Sequence, residues 1–307
     1  MKVFNRFSKK LRKEVKEGNP YRDIFLGLGS DHLECGFEAT AHNDSCEEMF
    51  LNRFNESDIL TLLKEIGLTE CLSGLGFNKL HISIDLDEGG RHHLSIYHSR
   101  IKPENMLINL RLSETIYKPE ITLPFRMKRS SYNMINIEWA QTTSPTPKVT
   151  QQRPLLPGQA KPGLGILSYL MLLMQAIGKR ISSDGFIEVP DHFHLAAMYA
   201  GTFKFIDPSR EALLQGVLRD LGNHSIGDLS WGFITSTITD TKSGRPAVYT
   251  PGTQAICLTS DLQEYFNSSW YEKKFNRSMR ASRYSIDMEQ MQIRRSELLE
   301  KHKTEEI

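Results

Sequence analysis

Three short stretches of the chain carry residue types at spacings that could do chemistry. The first, HSRIKPENMLINL at 98–110, contains the Lys102-Pro103-Glu104-Asn105 run of a protein-kinase catalytic loop. Such a loop needs an aspartate two residues after its histidine to accept the substrate hydroxyl proton. Two residues after His98 stands Arg100, a cation that cannot be that base. No Asp-Phe-Gly follows to hold magnesium, and the upstream Gly27-Leu28-Gly29 lacks a third glycine and a following strand lysine. Residues 98–110 therefore read as a loop leading into a strand.

The second stretch is LPGQAKPGLG at 156–165, which ends in Gly163-Leu164-Gly165 and opens a strongly apolar helix. Glycines before a helix start offer unpaired backbone N–H groups and the positive helix end to an anion, so a phosphate or pyrophosphate suits this loop. A Walker loop would end in Gly-Lys-Ser/Thr, whereas Ile166 follows Gly165. A Rossmann fingerprint would put a third glycine where Ser168 stands and would begin from a parallel βαβ unit. Neither loop fits.

The third stretch is Asp191-His192-Phe193-His194, directly after a strand-like run. Two histidines one residue apart can face one metal, and Asp184, Asp191 or His224 could complete the set of a metal-dependent hydrolase. No second ligand pair has a persuasive spacing, and His-x-His arises readily by chance among 10 histidines. This reading stands as an alternative.

The elements that must position these residues follow from hydrophobic period. Phe4, Phe7, Leu11 and Val15 recur at helical spacing among lysines, giving a basic amphipathic helix over 2–17. Ser57 and Asp58 before Ile59, Leu62, Leu63 and Ile66, with Gly67 behind, read as a capped helix with a glycine stop. KLHISIDLD (79–87), HHLSIYHS (92–99) and NMLINLRLS (105–113) then alternate at period two, with Glu88-Gly89-Gly90 as a hairpin turn. NMINIEWAQ (133–141) extends this antiparallel meander. Residues 142–162 form an irregular loop, 163–180 a buried helix, 184–190 a strand, and HLAAMYAG closes a second helix before Phe203. A helix at 209–221, strands at 229–238 and 254–260, and a charged helical region from Leu262 complete an α+β chain.

Bulk composition sets the class. At 307 residues, with 39% hydrophobic and 24% charged, the chain has the make-up of a folded globular protein. The 38 Lys+Arg and 37 Asp+Glu create no global field that would announce a nucleic acid, which is not an expected partner. Cys35, Cys46, Cys71 and Cys257 have no CxxC spacing and are expected as free thiols in the cytoplasm. Ile166–Ile177, the longest apolar run, is too short to span a bilayer, and no targeting segment is visible.

The succession of strand, glycine loop, buried helix, strand and helix resembles the GNAT superfamily of acyl-CoA-dependent N-acyltransferases. Its acyl-CoA loop, Gln/Arg-x-x-Gly-x-Gly/Ala, lies between a fourth strand and a central helix. The resemblance runs from about residue 79 to 238, with INIEWAQ in place of the fourth strand, GFIEVP of the fifth, and HFHLAAMYAGTFKFID of the following helix and turn. Gln159 stands four residues before Gly163 where the family has three, Thr202-Phe203 replaces Gly-Phe, and the loop before the glycines is long.

The resemblance implies a mixed, mostly antiparallel sheet flanked by helices, with a helical N-terminal extension (1–75), an acyl-CoA-binding core (76–262) and a charged C-terminal helical segment (263–307). It implies acetyl-CoA or a longer acyl-CoA as co-substrate, a small-molecule or peptide amine as acceptor, and no metal. Gln159, Gly163, Leu164, Gly165 and Ile166 would hold the pyrophosphate, with the amides of Leu164, Gly165 and Ile166 as donors. Glu138 would be the general base, Tyr199 would protonate the departing thiolate, and His192 and His194 are alternative bases. Each also has a structural reading: Glu138 on a solvated strand face, Tyr199 a core aromatic, the histidines a helix start, and the glycines a tight turn. Trp139, Trp231 and Trp270 read as packing residues, and Arg126, Lys128 and Arg129 as a solvated loop that could at best receive a 3′-phosphate. A non-catalytic module of the same shape is the remaining alternative, favoured by the basic segment after Lys273. Oligomeric state is left open.

Overall fold

A computed structural model describes residues 49–119, 128–145 and 155–307, all within one compact unit, Glu47–Ile307. The expected basic helix at 2–17, together with Cys35, Cys46 and Arg126, lies outside the described residues.

The chain enters through α1 (Glu56–Glu65), fixed at its start by a capping box in which Asn55 and Asp58 bond each other's backbone N–H. Gly67, at φ 75, turns it into α2 (Leu68–Gly74). The period-two runs then form β1 (Leu80–Leu86), β2 (His92–His98), β3 (Met106–Tyr117) and β4 (Tyr132–Thr142), each antiparallel to the last. The kinase-like residues fall in the turn between β2 and β3, where Pro103–Asn105 make one 3₁₀ turn.

The helix α3 (Leu167–Arg180) is the crossover that lets β5 (Gly185–Glu188) pair parallel to β4. After it come α4 (Phe193–Tyr199), β6 (Lys204–Phe205) and α5 (Pro208–Asp220). Next are α6 (Ile226–Ile234), β7 (Ile238–Asp240), β8 (Arg245–Pro246) and β9 (Gln254–Cys257). The chain finishes with α7 (Ser260–Phe266), α8 (Ser269–Ala281), β10 (Tyr284–Ile286) and α9 (Met288–Lys301). Seven strands form the main sheet in the order β1-β2-β3-β4-β5-β9-β6, and β10-β7-β8 form a small second sheet. The architecture is α+β, with a mostly antiparallel sheet flanked by helices.

Alternation sends the two faces of the sheet into different cores. Ile135 and Ile137 of β4, Phe186 of β5 and Ile256 of β9 join α1, α2 and α3 in one core, which also takes Tyr199 and Phe203. Tyr132, Met134 and Ala255 face the other way and pack on Leu262, Tyr265, Phe266 and Tyr271. Phe50, Leu51, Ile59, Leu62 and Leu68 belong to the first core, so residues 50–75 are packed on the same sheet.

Two expectations are corrected. Residues 229–238 do not form a strand: α6 covers Ile226–Ile234, and only Ile238–Asp240 is extended. The helix starts at a Ser225/Asp228 capping box, and Leu229, Ser230, Trp231, Gly232 and Phe233 are all buried. With nearly every side covered, its sequence shows little polar face and reads as an apolar run. The C-terminal region is likewise not helical throughout, since β10 separates α8 from α9 by pairing with β7. No helix among the described residues is long and apolar enough to cross a membrane.

Candidate functional site

The strands β4 and β5 pair only from Met134, Ile135 and Asn136 to Gly185, Phe186 and Ile187. Beyond that point β5 ends at Glu188, while β4 continues to Thr142 with no strand partner on that side among the described residues. A bulge falls at the same level: β3 Arg111 and Leu112 face Trp139 and Ile137, so Glu138 is the extra residue. The bulge turns β4 where its parallel neighbour ends, and the sheet opens there. Trp139 and Val189 leave apolar surface at the opening, 46% and 52% exposed.

The glycine loop returns to this open end. Ser144 N donates to Pro162 O at 3.2 Å, and Leu164 N donates to Thr142 Oγ1 at 3.1 Å. The Leu164 amide is thus engaged by the protein itself. Gly165 has φ +76, a backbone conformation that an L side chain would strain. Ile166 caps α3 without a side-chain bond. The N–H groups of Gly165, Ile166, Leu167 and Ser168 find no acceptor among the described residues. They form a donor cluster at the positive end of a 14-residue helix. Gln159 is not part of it: its Oε1 accepts from Leu156 N at 3.3 Å, in a turn tied to the C-terminus by Gly158 N donating to Thr304 O at 2.8 Å.

The turn from β5 into α4 lines the third side. His192 sits at the start of α4, with its ring over Gly158, where an added Cβ would lie 2.8 Å from Nε2. His194 is 1% exposed and shares a 3.0 Å hydrogen bond with Ser230 Oγ, and its ring stacks on that of His192 at 5.5 Å. Burial, then the neighbouring His192, pushes His194 down to about 3; burial also lowers His192, against the pull of Asp191. Both rings are neutral near pH 7. The Tyr199 ring packs on Phe203, and its hydroxyl has no hydrogen-bond partner among the described residues. Burial and the charge of Glu188 raise the Tyr199 hydroxyl far above its ordinary value.

Glu188 is the site residue that sequence reasoning missed. It is 6% exposed, its Oε1 has no hydrogen-bond partner among the described residues, and burial alone pushes its carboxyl up to about 8. Glu138 is in the opposite situation: its exposed carboxylate accepts from Ser113 Oγ at 2.8 Å and Asn136 Nδ2 at 2.9 Å. The signal for Glu188 was its register, two residues from Phe186 and hence on the core side of β5.

The remaining candidates are committed elsewhere. Asp184 accepts from Arg129 and from Asn133 N, and these bonds hold its carboxyl below the usual range although burial acts to raise it. Lys128 pairs with Glu264 and Asp261, so Lys128 and Arg129 are both spent on ion pairs. Among the described residues no group of three His, Cys, Asp or Glu side chains is arranged to hold a metal ion. Trp231 is buried, donates to Leu155 O at 3.3 Å and lies under Arg295. Cys71 and Cys257 are free thiols.

No protein-family model, curated protein or solved structure matches this chain.

Proposed function

We propose that the protein transfers an acyl group from a CoA thioester to a primary amine, on a GNAT-like sheet. The observation that supports this is the parallel β4–β5 pair that parts at a bulge, with the free amides of its crossover helix at the open end. An open strand edge can pair with the amide groups of a pantetheine arm as it would with a peptide. The amides of Gly165 to Ser168, rather than that of Leu164, would bind the pyrophosphate. Gln159 takes no part in the phosphate site.

The bound thioester supplies the acyl carbon and a sulfur leaving group. Glu188, not Glu138, is the proton acceptor in this reading. A carboxyl that burial holds near 8 is matched to a base working close to neutral pH. Glu138 is exposed, and its carboxylate is already engaged by Ser113 Oγ and Asn136 Nδ2. Tyr199, with its hydroxyl unpaired and protonated, gives a proton to the departing sulfur. The amine enters as its ammonium ion and passes one proton to the Glu188 carboxylate before attack. As the C–N bond forms and the C–S bond breaks, the second nitrogen proton restores Tyr199, leaving a neutral amide, a free thiol and a protonated Glu188.

The test is thiol release from acetyl-CoA with n-butylamine as the probe acceptor. Glu188→Gln should lower kcat at least about 100-fold, the span of one general base, and Glu138→Gln should change it less than about threefold. The reverse ranking would return the base role to Glu138.

A further inference from the structure

Glu188 of β5 and Gln254 of β9 stand directly opposite each other in the antiparallel register. Each lies two residues from a core side chain, Phe186 and Ile256 respectively, so both face the core that contains Tyr199. Gln254 is fully buried, and neither its Nε2 nor its Oε1 has a hydrogen-bond partner among the described residues. Glu188 Oε1 is unpaired as well. Cross-strand neighbours of these types ordinarily satisfy each other, and unpaired buried polar atoms are costly. Here two such groups lie side by side at the vertex where β4 and β5 part.

What surrounds them restricts the occupant. Tyr199 of α4 and Tyr249 of the segment before β9 both feel the Glu188 charge, and Tyr249 donates its hydroxyl to Pro190 O at 2.7 Å. Asp191 lies near Tyr249, and the histidines of the α4 start are held neutral. Arg210 acts on Tyr249 but not on Glu188, whose carboxyl responds to burial alone. Among the described residues the pair therefore offers one carboxylate without a counter-charge and one amide without a partner. That pair complements an organic cation: charge meets Glu188, and an N–H meets Gln254 Oε1.

We propose that Glu188 and Gln254 form the acceptor subsite of the transferase read above, and that its ligand is a primary alkylamine taken up in its ammonium form. The inference rests on the acyltransferase reading only for the fate of the amine; the binding itself can be tested without any thioester. The ammonium brings the counter-charge that the fold omits, so Glu188 gives up a proton on binding. Before attack, one ammonium proton moves to the carboxylate, leaving a neutral amine beside a protonated Glu188.

The experiment is calorimetric titration of the protein at pH 7 with n-butylamine, with butyrate and butan-1-ol as anionic and neutral probes. It is run in phosphate and in HEPES so that proton release shows as a buffer-dependent heat. Binding of n-butylamine alone with release of a proton is the expected result. Glu188→Gln should weaken it at least about tenfold and abolish the release, and Gln254→Leu should weaken it several-fold while keeping the release. No amine binding, or equal binding by wild type and Glu188→Gln, would overturn the proposal and leave the pair to be satisfied by internal water. Acetyl-CoA titrated into the same samples separates the two readings. Acyl-CoA binding without amine binding sinks only the subsite, and amine binding without acyl-CoA binding sinks only the transferase.

Discussion

Replacing Glu188 by Gln should stabilise the protein, by an amount that grows with pH. The side chain keeps its shape, and the variant removes a carboxyl whose value moves from 4.5 to about 8 on folding. Because the folded value is raised, the folded state holds a proton that the unfolded chain releases between these limits. Wild-type stability therefore falls as pH rises through that window. At about 1.4 kcal/mol per unit, the loss reaches roughly 3 kcal/mol at pH 7 and approaches 5 kcal/mol above pH 8. A neutral Gln has no such dependence. Urea unfolding of both proteins at pH 5, 6, 7, 8 and 9 and constant ionic strength should show their difference in free energy widening by about 1.4 kcal/mol per unit up to about pH 8, then levelling off. Taking the difference cancels every other titrating group. A gap that stays constant across this range would refute the claim that Glu188 keeps its proton inside the fold.

Other perturbations test the frame around the site. A Cβ at Gly185 would stand 2.0 Å from Ile256 O across the β5–β9 ladder, so Gly185→Ala should cost about 3 kcal/mol, measured as a shift in urea midpoint. Arg129→Ala leaves the buried Asp184 carboxylate without its guanidinium partner, and should cost about 2–3 kcal/mol at pH 7. Since the Asp184 value is lowered in the fold, that cost should shrink as pH falls below about 4, where the unfolded carboxyl takes up its proton.

What the sequence disclosed depended on how far a residue's neighbours lay along the chain. In β1 to β4, period-two alternation and glycine turns are local signals, and they placed the meander within a few residues. The donor cluster of the α3 start was legible for the same reason, because Gly163, Gly165 and the apolar run that follows are contiguous. The engagement of Leu164 by Thr142 was not, since it spans the long loop after β4. The α6 helix hid because it is buried on nearly every side, although Ser225 and Asp228 marked its start. Gln254 acquires its meaning only from the β5–β9 pairing, which joins residues far apart in sequence. Two-residue strands such as β6 and β8 are too short to show any period.

The most direct measurement is calorimetric titration of the metal-stripped protein with acetyl-CoA and a longer acyl-CoA, repeated with Gly165→Glu. That substitution puts a carboxylate and a strained φ among the free amides at the start of α3. Micromolar binding by the parent protein, weakened at least about 100-fold in the variant, is the expected result. No binding of either thioester by the parent protein, or equal binding by parent and variant, would contradict the acyl-CoA site.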